Sequence, residues 1–246
     1  MHALYEYINA TAGEFPNFEF VEHLQQALSE DEGTIFKFAT HENTILNAIR
    51  TQLKASDTPK KESLISFIEA ISHPTNDNPD SWIVPLRKQN QGTRDMVDLC
   101  KVIIKYYYNP HTFGSNSIKK VLPAVLKSSQ FVQKKYSKPI GAIAVSSKNL
   151  PDNHIWLTKR ENEIISPYKT LPPVYDNISQ EEIEARLSNI ENVDDGGAAL
   201  TAYGKTQYTD MTEKERQDIS DALKRYCELD TLAMVMIYEH LKSIVK

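Results

Sequence analysis

The chain is organised around the stretch Tyr226-Cys227-Glu228-Leu229-Asp230-Thr231-Leu232-Ala233-Met234-Val235. This stretch lies in a run from Thr212 to Val245 that contains neither proline nor glycine and opens with Thr212 and Glu215 at capping-box spacing. Apolar side chains recur along the run at helical intervals, so the sequence predicts one long amphipathic helix. Because Asp230 follows Tyr226 by four positions, the carboxylate and the phenol share one face of that helix.

Asp230 lies within the apolar stripe of this predicted helix, where an acid needs a partner. The stripe consists of Ile219, Leu223, Tyr226, Ala233, Ile237 and Leu241. The sequence is consistent with two kinds of partner for the Asp230 carboxylate. A metal ion could bind the carboxylate while Tyr226 orients a water, or Asp230 could be a core acid that is hydrogen-bonded to a neighbouring loop.

Three strings along the chain carry a family resemblance: residues 114–123 (GSNSIKKVLP), residues 195–199 (DGGAA) and the run from Tyr226 to Val235. The pattern Tyr-x-x-x-Asp on a late helix resembles the third motif of DEDD-type 3′-to-5′ exonucleases of the ribonuclease H-like superfamily, in the variant that carries Tyr. The order of the strings is similar to that of a bacterial family of nuclease-like domains often found beside RecB-type nuclease modules. The resemblance implies an α/β fold with a mixed sheet flanked by helices.

The same resemblance implies a metal-dependent exonuclease site. Tyr226, Asp230 and Glu42 would be its catalytic residues, and Glu42 and Asp230 would hold Mg²⁺ or Mn²⁺, hard cations that prefer oxygen ligands. Glu42 follows a predicted strand, Thr34–Ala39, in the first turn of a helix, a place where the helix dipole also favours an acid without any function. The Asp-x-Glu pair that the resembled superfamily carries on its first strand is absent here.

The missing pair leaves two interpretations of the fold and two of the function. The first Met belongs to a longer reading frame, or the chain is N-terminally incomplete and needs a RecB-type module or another protein to complete its sheet. As an enzyme, the chain would be an exonuclease-like domain that acts on DNA or RNA and is impaired without the pair. The alternative is a catalytically inactive nuclease-like module that binds nucleic acid or a protein partner.

A basic block occupies the middle of the chain: residues 99–151 carry nine lysines and no acid, although the whole chain has a net charge of −5. Interleaved aromatic residues could stack on bases while the lysines bind a phosphate backbone. The alternative is a solvated helix face with a charged loop. The residues that we assign to nucleic-acid binding are Ser115, Ser117, Lys119, Lys120, Lys127, Lys134 and Lys135.

At 246 residues the chain is long enough for one large domain or two small ones. The resemblance implies a single ribonuclease H-like domain over residues 1–246, with an irregular inserted subelement at residues 128–178. Within that subelement, Tyr168 is either a stacking surface or an anchor that ties the loop to the body. Two cysteines suit thiols in a reducing compartment, and no apolar run reaches membrane-spanning length, so we expect a cytoplasmic protein without a membrane partner.

Several shorter elements are predicted from local patterns. Residues 2–9 and 140–145 have the composition of short strands. The apolar period over Met96–Tyr107 predicts a helix, with Asp98 as its cap or first-turn acid. A helix is also expected over Glu181–Ile190, and a turn at 194–197.

Overall fold

The structure is a computed structural model that describes residues 4–74, 92–161, 163–172, 203–204, 206–208 and 210–245. The chain divides into two compact units, one formed by residues Phe15–Tyr108 and the other by Met1–Glu14 together with Asn109–Lys246. We call them the Glu42 unit and the Asp230 unit and describe each by itself. The single domain over residues 1–246 stays a prediction beside this division.

The Glu42 unit is a small helical layer around one parallel strand pair. Its helices α1, α2 and α3 bury one apolar stripe each, and these stripes form the core of the unit. The elements are α1 (Asn17–Leu28), β1 (Phe36–Lys37), α2 (His41–Lys54), α3 (Lys61–Ile71), β2 (Val97–Asp98) and α4 (Leu99–Tyr106). Deeply buried core residues include Val21, Ile49, Leu53, Leu64 and Ile68.

Strands β1 and β2 are short and parallel, with Phe36 opposite Val97 and Lys37 opposite Asp98. The strand predicted over Thr34–Ala39 is therefore reduced to two residues. Ala39 takes a left-handed conformation with φ of 70°, which interrupts the extended backbone just before α2. The helix predicted from Met96 begins instead at Leu99, because the preceding pair is drawn into the sheet and Asp98 caps α4.

The Asp230 unit is built on the long helix predicted at the end of the chain. Its elements are α5 (Ile118–Ser128), α6 (Gln130–Tyr136), β3 (Thr158–Arg160), β4 (Glu163–Ile165) and α7 (Glu213–Ile244), with 3-10 turns at Pro110–Thr112, Ile140–Ala142 and Pro167–Thr170. Strands β3 and β4 form an antiparallel hairpin, with Thr158 opposite Ile165. Helices α5 and α6 both pack against α7.

The predicted capping box at the start of α7 is confirmed. The Thr212 hydroxyl accepts from the Glu215 amide at 3.2 Å, and the Glu215 carboxylate accepts from the Thr212 amide at 2.8 Å. Near the other end of α7, Glu239 accepts from Lys135 Nζ at 2.6 Å and from the Tyr136 hydroxyl at 3.0 Å. Burial, and second the Glu239 charge, raise the pKa of Tyr136, so its phenol remains a donor.

Two predictions for local structure are wrong. Residues 4–9 form no strand, and the backbone carbonyl of Asn9 accepts instead from a side chain, the Tyr203 hydroxyl, at 2.7 Å. Residues 140–142 form a 3-10 turn because the Ile140 amide donates to the His154 carbonyl at 2.9 Å rather than to a neighbouring strand. Within the predicted 128–178 subelement, the described residues contain α6 and the β3–β4 hairpin, and the irregular insertion stays a prediction.

The predicted helix over Glu181–Ile190 and the turn at 194–197 lie outside the described residues. Where the chain is described, helices predominate and two small sheets accompany them, which agrees with the predicted α/β character. Both cysteines are free thiols. No helix in this described part combines the length and the apolar character that a membrane crossing requires.

His154 couples the stability of the Asp230 unit to pH. Its ring packs edge-on against Trp156, with centroids 4.9 Å apart, and its Nε2 atom is buried without a hydrogen-bond partner among the described residues. Burial lowers the pKa of His154 below its usual 6.5, and the Glu228 charge only partly opposes this. The folded state therefore binds fewer protons than the unfolded state. The free energy of unfolding keeps its full value above about pH 6.5 and decreases as the pH drops below it.

We expect His154→Phe, which keeps a ring against Trp156 but cannot titrate, to lose less stability than the parent between pH 7 and pH 5. The measurement is urea unfolding at a series of pH values. His111→Gln, at an exposed position, serves as the control and is expected to follow the parent. Equal pH dependence of the parent and His154→Phe would contradict this role.

Candidate functional site

Asp230 and Tyr226 on α7 contact a third side chain, Tyr168. This residue lies in the 3-10 turn after β4. The Tyr168 hydroxyl donates to Asp230 Oδ1 at 2.5 Å. The rings of Tyr168 and Tyr226 lie 6.0 Å apart between centroids and are tilted by 53°. Both tyrosines are buried and Asp230 is half-buried. The hydrogen bond from a neighbouring loop, one of the two partners that the sequence left open for Asp230, is therefore present.

Lys119 adds a positive charge to this cluster. It is the second residue of α5, and its Nζ atom lies 5.3 Å from the Tyr226 ring centroid and 5.7 Å from that of Tyr168. An ammonium at these distances is attracted by the electron-rich faces of both rings. We call Lys119, Tyr168, Tyr226 and Asp230 the α7 cluster. It combines one ammonium, two phenols and one carboxylate, a set that can bind an anion and position a water.

The carboxylate of Asp230 also acts on the neighbouring thiol. Although Cys227 exposes part of its surface, the pKa of its thiol is raised to about 11, first by burial of the sulfur and then by the Asp230 charge. A thiol with this pKa stays protonated at neutral pH and is a poor nucleophile or metal ligand. The chemistry of the α7 cluster therefore rests on oxygen and nitrogen atoms.

The remaining residues that we assigned to nucleic-acid binding lie around α5 and α6. Ser117 occupies the N-cap position of α5 but its side chain makes no capping bond, and the Ser115 hydroxyl accepts from the Ser117 amide at 3.3 Å. Lys120, Lys127 and Lys134 are exposed. Lys135 is committed to its ion pair with Glu239, so it is less suited to hold a phosphate than the exposed lysines.

Glu42 lies in the first turn of α2, as predicted, and belongs to the Glu42 unit. Its Oε2 atom is buried and has no hydrogen-bond partner among the described residues. Glu42 and Asp230 thus belong to different units.

The α7 cluster can be compared with the ligands that a two-metal centre requires. There, Asp230 brings one carboxylate, one oxygen of which accepts from Tyr168, and a lysine supplies positive charge. Across the described ranges, no three His, Cys, Asp or Glu side chains stand together as a ready metal site. A pair of divalent cations needs more oxygen ligands than this, so the α7 cluster alone does not fit a two-metal centre.

A buried ion pair in the Glu42 unit confirms the predicted cap and adds a residue that the sequence did not indicate. The amides of Cys100 and Lys101 donate to Asp98 Oδ1 at 3.0 and 3.2 Å. On the other side, Lys37 lies 3.4 Å from Asp98 Oδ2, and its ammonium also donates to the Ala39 carbonyl. The pKa of Cys100 is raised by burial first and by the Asp98 charge second.

Sequence reasoning found Tyr226, Asp230 and Lys119 but assigned Lys119 only to phosphate binding. It weighed Tyr168 as a stacking surface or a loop anchor, and the structure shows it bound to Asp230 across 62 positions of sequence. No local pattern could have indicated that pair. For Lys37, the available signal was a charged residue within an otherwise apolar strand, which usually means a buried partner.

Comparison with known proteins gives a match for the first part of the chain. A family model described as a domain of unknown function, DUF2779, matches residues 2–117. The matched segment contains Glu42, Ser115 and Ser117, whereas Tyr226 and Asp230 lie beyond it. No curated protein and no solved structure matches the chain. Over residues 2–117, the chain is thus similar to a domain whose function is not known.

Proposed function

We propose that this chain is an exonuclease-like domain of ribonuclease H type that acts on DNA or RNA through the α7 cluster. The observation that carries the proposal is the Lys119 ammonium, which is held over the rings of Tyr226 and Tyr168, while the Tyr168 hydroxyl donates to the Asp230 carboxylate. A phosphodiester is an anion, and a lysine placed over two phenol rings, one of them bonded to a carboxylate, can hold it where a water is also positioned.

Each residue of the α7 cluster has a distinct part in this proposal. Lys119 binds a phosphate oxygen and offsets the negative charge that the phosphate brings near Asp230. Tyr226, buried and directly under the ammonium, orients a water towards the phosphate. Tyr168 fixes the Asp230 carboxylate through their hydrogen bond, so that the carboxylate keeps one orientation.

Hydrolysis would need more than the α7 cluster supplies. The resemblance implies Mg²⁺ or Mn²⁺ held by Asp230 and by Glu42, together with an Asp-x-Glu pair that this chain lacks. We therefore propose that the chain, as it stands, is impaired in hydrolysis. A partner that supplies this pair would restore hydrolysis.

A second candidate function is a catalytically inactive module that binds nucleic acid or a protein partner, such as a RecB-type nuclease module. The Tyr168 hydrogen bond favours it, because Asp230 then has a hydrogen-bond donor without any metal ion. In this candidate, the acid stabilises the loop at Pro167–Thr170, and the basic residues of α5 perform the binding.

Mn²⁺ calorimetry distinguishes the two functions. The parent chain, Asp230→Asn and Glu42→Gln would be titrated side by side, with Asp221→Asn, a half-exposed acid elsewhere on α7, as the control. The metal-dependent function predicts that the parent binds Mn²⁺ and that each site variant loses heat of binding while the control does not. A parent that binds no Mn²⁺ would leave the inactive module as the function of this chain.

A further inference from the structure

Phe113 is an apolar residue with a highly exposed side chain and an unusual backbone conformation. It follows the 3-10 turn Pro110–Thr112, and 85% of its surface is accessible. Its backbone is left-handed, with φ of 53° and ψ of 34°, and Gly114 continues this with φ of 80°. A bulky residue seldom adopts this conformation, and an apolar ring gains nothing from facing water. The position is therefore unfavourable for Phe in both its backbone and its side chain.

The turn that carries Phe113 is nevertheless firmly held. Asn109 is buried, and its amide donates to the Ser128 hydroxyl at 3.0 Å while its Oδ1 accepts from the His111 amide at 3.0 Å. Thr112 is also buried, and its hydroxyl donates to the Asn109 carbonyl at 2.9 Å. The Phe113 amide donates to the Pro110 carbonyl at 3.2 Å. The exposed ring thus stands on a base that is fixed to α5.

The surface that follows Phe113 is suited to a polyanion. The next residues are Gly114, Ser115, Asn116 and Ser117, and then Lys119 and Lys120 in the first turn of α5. Within the Asp230 unit, residues 109–151 contain seven lysines and no acid. Lys119 belongs both to this surface and to the α7 cluster, because its ammonium lies 5.3 Å from the Tyr226 ring centroid.

We propose that Phe113 is a stacking platform for a base of a single-stranded nucleic acid whose backbone follows Ser115 to Lys120 towards the α7 cluster. Aromatic rings that stack on bases are characteristic of single-strand binding, because bases in a duplex already stack on one another. The surrounding lysines provide the complementary charge for the phosphates. The proposal deepens the proposed function by naming the form of nucleic acid that the same site takes.

The test is fluorescence anisotropy with a labelled 20-nucleotide oligothymidine in EDTA, so that binding is measured without hydrolysis. We expect Phe113→Ala to weaken binding about tenfold, in the range that loss of one base-stacking ring causes. Phe113→Trp should bind like the parent. An abasic oligomer with the same number of phosphates should bind the parent and Phe113→Ala equally, since only the base stacks. Tyr208→Ala, which removes a ring that is 89% exposed in the same unit, is the matched control.

Phe113→Gly separates function from structure. Glycine accepts the left-handed backbone, so this variant should keep or raise the thermal midpoint while it loses oligothymidine binding as Phe113→Ala does. The proposal is overturned if the parent does not bind oligothymidine, if Phe113→Ala binds it as tightly as the parent, or if Tyr208→Ala loses as much. It is also overturned if Phe113→Ala weakens the abasic oligomer equally. Because metal is absent throughout, a failure of the hydrolytic proposal leaves these results unchanged.

Discussion

Asp98→Ala is expected to destabilise the Glu42 unit by about 3–5 kcal/mol, as breaking a buried ion pair typically does. Lys37 is only 1% exposed, and Asp98 is its carboxylate partner at 3.4 Å. The same carboxylate accepts from the Ala39 amide at 3.0 Å and caps α4. Alanine would leave a buried ammonium without its counter-charge and several amides without an acceptor.

Urea unfolding, monitored by circular dichroism, measures this loss. Asp31→Ala removes an acid that is 79% exposed and pairs with Arg94 at 3.0 Å, and it should cost at most about 1 kcal/mol. Lys37→Met combined with Asp98→Ala should cost less than the two single changes added together, because no unpaired charge then remains. A loss below about 1 kcal/mol for Asp98→Ala would mean that this pair does not hold the strands and α4 together.

Asp230→Asn is expected to reduce Mn²⁺-dependent degradation of a labelled single strand to the level of a metal-free blank. The assay uses the chain extended by an apolar strand with an Asp-x-Glu pair, since the proposed function requires that motif. Asparagine keeps the shape of the side chain and can still accept from Tyr168, but it removes the negative charge that a metal ion requires. The variant should therefore fold as the parent does.

Tyr168→Phe is the matched comparison for this assay. This variant removes the hydrogen bond to Asp230 but leaves the negative charge of the Asp230 carboxylate, so it should slow degradation without abolishing it. Unchanged degradation by Asp230→Asn would remove Asp230 from the site. Equal loss in both variants would indicate that the orientation of the carboxylate, rather than its charge, controls the rate.

The parts of the structure that the sequence predicted well are those set by neighbouring residues. The capping box of Thr212 and Glu215 and the cap at Asp98 depend on groups within three positions, so their residue types suffice to predict them. The shared face of Tyr226 and Asp230 follows from helix periodicity alone. Such features need no knowledge of how distant segments meet.

The parts that the sequence did not predict depend on contacts between distant segments. Tyr168 and Asp230 are separated by 62 positions, and Lys37 and Asp98 by 61. The segment at 140–145 has strand-like residues, yet its first amides bond to residues 152–154, which produces a 3-10 turn. Strand propensity was overridden there because no strand among the described residues lies beside it to complete a ladder.

The most direct test of the α7 cluster is the salt dependence of single-strand binding by Lys119→Gln. We expect weaker binding at low salt and a slope of log K against log salt that is smaller by about 0.7 than the parent's, since one phosphate contact is lost. Lys242→Gln, an exposed lysine in the last turn of α7, should match the parent. If Lys119→Gln kept both the affinity and the slope of the parent, no phosphate would lie at Lys119, and the α7 cluster would not be a nucleic-acid site.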